Sequence, residues 1–191
     1  MSLRLILVSL CALALVGGFA TINFAEETTT ATTDHQYVGA SGCKGCHSSD
    51  KMGGTQYTIW ADSKHAKAYE VLGTDAAKEV AAKAGVEGNP QEADACLKCH
   101  VTAWGVKAEL KGTNWKTEDG VECESCHGAG KDYMTMATMK DMAAAMAAGL
   151  LMPDEETCLK CHNEESPTFK EFKYDERLKA IKHWEDEDGG E

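Results

Sequence analysis

Apolar positions along the chain gather into short segments, and most of them carry a helical spacing. Residues 57–72 read as helical, closed by Gly73. Thr74 offers a cap for a helix running to residue 84, with Gly85 beyond its end. Asn89-Pro90 reads as an N-cap followed by a first-turn proline, with Glu92 three residues past the cap, and that helix would run into residues 96–100. Residues 139–148 are a strong helix former ending at Gly149. Pro153-Asp154 opens a helix that delivers Cys158, Ser166-Pro167 starts a turn, and residues 174–184 end the fold helically. Strand signals are weak, the one candidate pair lying within residues 101–115. The pattern predicts a mainly α chain with extensive loops.

The two ends read differently. Arg4 precedes an apolar run over residues 5–20, with small residues at Ala20 and Ala25, so residues 1–25 are expected to be a secretory signal peptide. The run is short for a full membrane span, and an uncleaved signal would leave a membrane anchor. Residues 26–36 are Thr-rich and read as a flexible leader, residues 37–184 as the folded domain, and residues 185–191 as an acidic disordered tail.

Four pentapeptides change the picture. They are Cys43-Lys44-Gly45-Cys46-His47, Cys96-Leu97-Lys98-Cys99-His100, Cys123-Glu124-Ser125-Cys126-His127 and Cys158-Leu159-Lys160-Cys161-His162. Cys-x-x-Cys-His is the c-type haem attachment signal. Each cysteine pair can add across two haem vinyl groups, and the following histidine becomes the proximal iron ligand. Zinc sites or disulfides also use paired cysteines, but neither requires a histidine after every second one. The expected cofactors are therefore four covalently bound haem c groups, each with its iron. The ninth cysteine, Cys11, lies in the signal, so none of the domain's cysteines remains for a disulfide or a catalytic nucleophile. Haem is attached to such motifs outside the cytoplasmic membrane, which places the mature chain in the periplasm, at the cell surface or in the extracellular space.

The net charge is −12, and removal of the signal, whose only charge is Arg4, takes it to −13. Nucleic-acid binding is disfavoured, and redox partners with a basic docking surface are favoured. Shared among four haems, the mature chain supplies only about 41 residues each, too few for an ordinary apolar core. The haems are expected to stack and form the core themselves. The motifs are spaced 53, 27 and 35 residues apart, which is no clean repeat and argues for one domain.

Four six-coordinate haems need eight axial ligands, and the chain has seven histidines. His47, His100, His127 and His162 are proximal, leaving His65, His183 and His35 as candidate sixth ligands. At least one iron must take another ligand, stay open, or borrow a histidine from a neighbouring molecule. Methionine is the other candidate: residues 134–152 carry six, which pack against haem faces or supply a thioether ligand, Met142 being the one singled out.

Together these features resemble the cytochrome c-554 family of tetrahaem cytochromes. The resemblance runs from Tyr37 to about Trp184. It is carried by Tyr37-Val38-Gly39, by Ser63-Lys64-His65-Ala66-Lys67-Ala68, by Cys99-His100-Val101 with Gly105, by the stretch from Gly120-Val121-Glu122 through the third motif to Gly128-Ala129-Gly130, and by the late His183. It implies a mostly helical fold around haems in parallel and near-perpendicular pairs. It implies distal roles for His65 and His183 on the fourth and third haems, and a five-coordinate second haem on His100. Family members carry a distal histidine after the third motif for the first haem. Here Lys140-Asp141-Met142 stands in that place, so the first haem is left with Met142, His35 or nothing.

The leading expectation is a non-catalytic electron carrier between redox proteins. A small-molecule reductase acting on a nitrogen oxide at an open haem is one alternative. A homo-oligomer or conducting extracellular filament, with His35 crossing between subunits, is another.

Overall fold

Helix formation in this chain is local and brief, as the short apolar clusters require. In the computed structural model, which describes residues 34–183, ten short α-helices follow one another. They are α1 (Ala40–His47), α2 (Gln56–Ala61), α3 (Ala68–Val71), α4 (Asp75–Lys83), α5 (Asp94–His100), α6 (Cys123–His127), α7 (Met136–Met139), α8 (Met142–Ala147), α9 (Glu155–Leu159) and α10 (Tyr174–Leu178). Two 3₁₀ turns, Ala108–Leu110 and Thr117–Asp119, lie between α5 and α6. Among the described residues the only β pairing is two isolated bridges, Tyr37 with Lys111 and Ser49 with Gly54. The fold is thus mainly α, and residues 101–115 hold a 3₁₀ turn and one bridge rather than a strand pair. The signal segment, residues 26–33 of the leader, and Trp184 with the acidic tail lie outside the described residues.

Caps explain where several helices begin. The Thr74 side chain accepts the Ala77 N–H, and Gly85 follows α4 at φ +73°. Asp154 and Thr157 form a capping box on α9. Asn89-Pro90 forms a separate turn, in which the Asn89 side chain accepts the Gln91 N–H, and α5 starts only at Asp94.

Two expected helices are broken. Residues 57–72 divide into α2 and α3, because the intervening turn is held from outside. Trp60 Nε1 donates to the Val121 carbonyl at 2.8 Å, and the Val121 N–H donates to the His65 carbonyl at 3.0 Å. The helix expected over residues 139–148 starts only at Met142 as α8, because Asp141 caps it by accepting the Ala144 N–H, and Met139 instead ends the preceding α7. Of residues 174–183, only those of α10 are helical, and Trp184 lies outside the described residues.

The protein core is small. One cluster joins Leu72, Leu97 and Val101 with Tyr69, Trp104 and Trp115 around it, and a second joins Tyr133, Ala145 and Leu150 with Met139 and Ala148. Val38 and Ala40 are the other buried apolar side chains near the first motif.

Candidate haem-binding site

Each motif is presented helically. Residues i, i+3 and i+4 of a helix share a face, so a short helix turns both cysteines and the histidine the same way. The first motif ends α1, the second ends α5, and the third is α6 itself. In the fourth, α9 carries Cys158, and Cys161 and His162 follow in the next turn, closed by bonds from both N–H groups to the Cys158 carbonyl. All eight motif cysteines are half-buried, and none is paired in a disulfide. Among the described residues no group of three or more His, Cys, Asp or Glu converges on one metal position, so the tetrahedral zinc alternative finds no site there.

The motif imidazoles are oriented through Nδ1. His100 Nδ1 donates to the Ala68 carbonyl at 2.6 Å, His127 Nδ1 to the Leu151 carbonyl at 3.1 Å, and His47 Nδ1 pairs with Gln56 Oε1 at 3.1 Å. A proton held on Nδ1 leaves the Nε2 lone pair for a metal. His162 is oriented by stacking on Phe172, with ring centroids 4.8 Å apart and planes at 23°. Burial pushes the pKa of His65, His127 and His162 down, which favours the neutral, ligating form.

Two motif histidines face histidines from outside the motifs. His65 and His162 have ring centroids 6.0 Å apart, and His127 and His183 stand 5.9 Å apart. Two imidazoles binding one metal from opposite sides, each with a metal–nitrogen bond of about 2 Å, would have centres about 6 Å apart. Both pairs therefore fit an iron between them. His183 is itself fixed by Nδ1 donating to the Ile181 carbonyl at 2.8 Å. Among the described residues no such ring contact joins a second imidazole to His47 or His100.

Neighbouring thiols show which motifs adjoin. Cys43 lies within hydrogen-bonding reach of Cys123, and Cys99 of Cys161, while Cys158 is close enough to Cys126 to add to the burial that pushes the Cys126 thiol pKa up. The first motif thus sits beside the third, the third beside the fourth, and the fourth beside the second. A predominantly apolar cleft is lined by Cys43, Cys123 and Cys126 together with His47, His65, His127 and His183. The residues present fit haem: paired thiols, facing imidazoles and an apolar wall.

The remaining candidates are placed as follows. His35 Nδ1 pairs with Asp132 Oδ2 at 2.5 Å, and its ring lies against Gly149, so the end of the leader is tied to the body. Met142 is 53% exposed at the start of α8 and does not line the cleft.

Two glutamates of the third-motif region escaped the sequence reading. Glu124 and Glu122 are each only 2% exposed. Glu124 accepts N–H bonds from Val38, Gly39 and Gly130. Both Glu122 carboxyl oxygens are buried without a hydrogen-bond partner, and burial, aided by Glu124 and Asp119, pushes its pKa to about 9. The signal available was their position flanking Cys123, in a segment that must pack closely to present a motif.

Comparison with known proteins agrees with this geometry. Residues 42–128 match the family described as cytochrome c554 and c-prime. The chain is 29% identical over 185 residues to cytochrome c-554 of Nitrosomonas europaea, covering 78% of this chain and 74% of that protein. No solved structure matches. With four haem-attachment motifs presented helically, two pairs of neighbouring imidazoles and this relative, the chain is similar to the cytochrome c-554 family, a likeness that supports a c-type cytochrome with covalently bound haem and an electron-transfer role.

Proposed function

We propose that the protein is a tetrahaem electron carrier working between periplasmic or cell-surface redox partners. The observation that carries this reading is the pairing of His65 with His162 and of His127 with His183, each at the spacing of two axial ligands on one iron. Three motifs lie within short helices and the fourth runs from α9 into the next helical turn, which supports the same attachment chemistry at each. The adjacency of their thiols supports a row of haems in the order first, third, fourth, second, along which an electron would hop. The scarcity of buried apolar side chains supports haems as the interior of the molecule. The protein's own part is to set each potential through ligand type, burial and nearby charge.

The net charge of −12 supports an electropositive docking surface on the partner. A filament completed by His35 would require that side chain to leave Asp132.

Intact mass and a pyridine haemochrome assay on purified protein test the reading. Four haems per chain, with ferric low-spin bis-histidine signals from two of them, are expected. A mass increase of one or two macrocycles would overturn it.

A second reading, a reductase of small nitrogen oxides, is favoured by one observation. His100 is oriented for iron by Ala68 and faces no second imidazole among the described residues. An iron held there would keep a coordination position open.

A further inference from the structure

The first haem lacks an assigned sixth ligand, and the cleft beside His47 offers one. We propose that the thioether sulfur of Met139 is the sixth ligand of the iron held by His47. This rests on the haem-binding reading above.

Four observations lead there. First, His47 and Cys43 line the cleft, and Nδ1 of His47 is engaged by Gln56 Oε1, which directs Nε2 to the iron. Second, His65 and His183 are already placed against His162 and His127, and His35 is bonded to Asp132 and packed on Gly149. Third, Met139 is the methionine that lines this cleft. Met134, Met136, Met142, Met146 and Met152 are 38–59% exposed. Met139 instead packs against the cluster of Tyr133, Ala145 and Leu150 and lines the same cleft as Cys43 and His47. Fourth, the Tyr133 hydroxyl, which also lines the cleft, is already engaged, donating to the Gly128 carbonyl at 2.8 Å.

The position of Met139 is also well fixed. It is the last residue of α7, whose cap Thr135 accepts the Thr138 N–H and, through its carbonyl, the Met139 N–H. Asp141 restarts the chain as α8 two residues later. A short helix capped at its start and followed by a second capped helix fixes the backbone from which the Met139 side chain reaches the cleft.

The step is coordination only. A sulfur lone pair is shared with iron, a bound water leaves if one was there, and no electron or proton is transferred. A thioether ligand raises the potential of its haem relative to a bis-histidine one. The first haem would then be the electron-attracting end of the row.

Haem content is measured first, by mass and pyridine haemochrome, so that failure of the haem reading is seen separately. The ferric holoprotein should then show the weak far-red band of sulfur-to-iron charge transfer. The ferrous protein, grown with methyl-labelled methionine, should show one strongly shifted methyl resonance. Met139→Leu should lose both signals and gain one high-spin ferric signal, whereas Met142→Leu should change nothing. Met139→His should restore a low-spin iron without the far-red band. A wild-type protein with four haems and no sulfur–iron band would overturn the assignment, whatever the variants do. So would a band that survives Met139→Leu or that vanishes in Met142→Leu.

Discussion

The imidazoles of His65 and His162 face each other with ring centroids 6.0 Å apart, one supplied by the turn between α2 and α3 and the other by the end of the fourth motif. Each is held from behind: His65 through its carbonyl by Val121, and His162 by the ring of Phe172. Removing His65 should therefore open the fourth haem and leave the others alone. His65→Leu is expected to convert one low-spin ferric signal to high-spin in electron paramagnetic resonance. His183→Leu should do the same independently for the third haem, and the double variant should show both changes, because the two sites share no ligand. A single variant that alters both signals would mean the pairs are wrongly assigned.

Glu124 is expected to be a strong contributor to stability. Its carboxylate accepts N–H bonds from Val38 at 2.8 Å, Gly39 at 2.8 Å and Gly130 at 2.6 Å, tying the chain before α1 to the third motif. Burial raises its pKa, and the three backbone donors pull it partly back. Glu124→Ala would strand three buried N–H groups and should cost about 3 kcal/mol in denaturant unfolding of the holoprotein. A loss below about 1 kcal/mol would show that water replaces the carboxylate readily.

Glu122, two residues away, should behave oppositely. Its carboxyl has no partner and its pKa stands near 9 instead of 4.5. Between those values the unfolded chain has released the proton and the folded chain still holds it. Stability therefore falls as pH rises from about 4.5 to about 9, by up to about 1.4 kcal/mol per pH unit from this group. Glu122→Gln should match the wild type near pH 4 and exceed it increasingly toward pH 9. Unfolding midpoints of both proteins across that range check this. Parallel curves would mean that Glu122 ionises normally in the folded protein.

The contrast between these two residues also marks how far the sequence could be read. The motifs announce their own geometry, since Cys-x-x-Cys-His places three ligating groups on one helical face wherever a helix forms. Thr74 and Asp154 announce caps because their partners lie within one turn. Asp141 carried the same signal, and the break between α7 and α8 follows from it. The break at His65 was not legible, because its cause is Val121, far along the chain. The glutamates were not legible either. A charged residue in isolation reads as solvated, and only the packing of Val38, Gly39 and Gly130 around α6 buries Glu124. Family resemblance, rather than spacing, is what assigned His65 and His183 to particular haems; the rings nearest to them are those of His162 and His127.

The remaining prediction concerns the second haem. His100 is held by the Ala68 carbonyl at 2.6 Å, on a helix whose Leu97 belongs to the cluster with Leu72 and Val101. Among the described residues no second imidazole stands against His100, so an iron held there would keep a coordination position open. The ferrous protein should accordingly bind carbon monoxide or nitric oxide at one haem, shifting about a quarter of the Soret intensity. A variant with Cys96→Ala and Cys99→Ala, which cannot retain the second haem, should keep three haems and lose this binding. If the wild type binds no added ligand, the position is filled and a reductase role fails. If the variant still binds, the open iron is one of the other three, and His100 is not the residue that holds it.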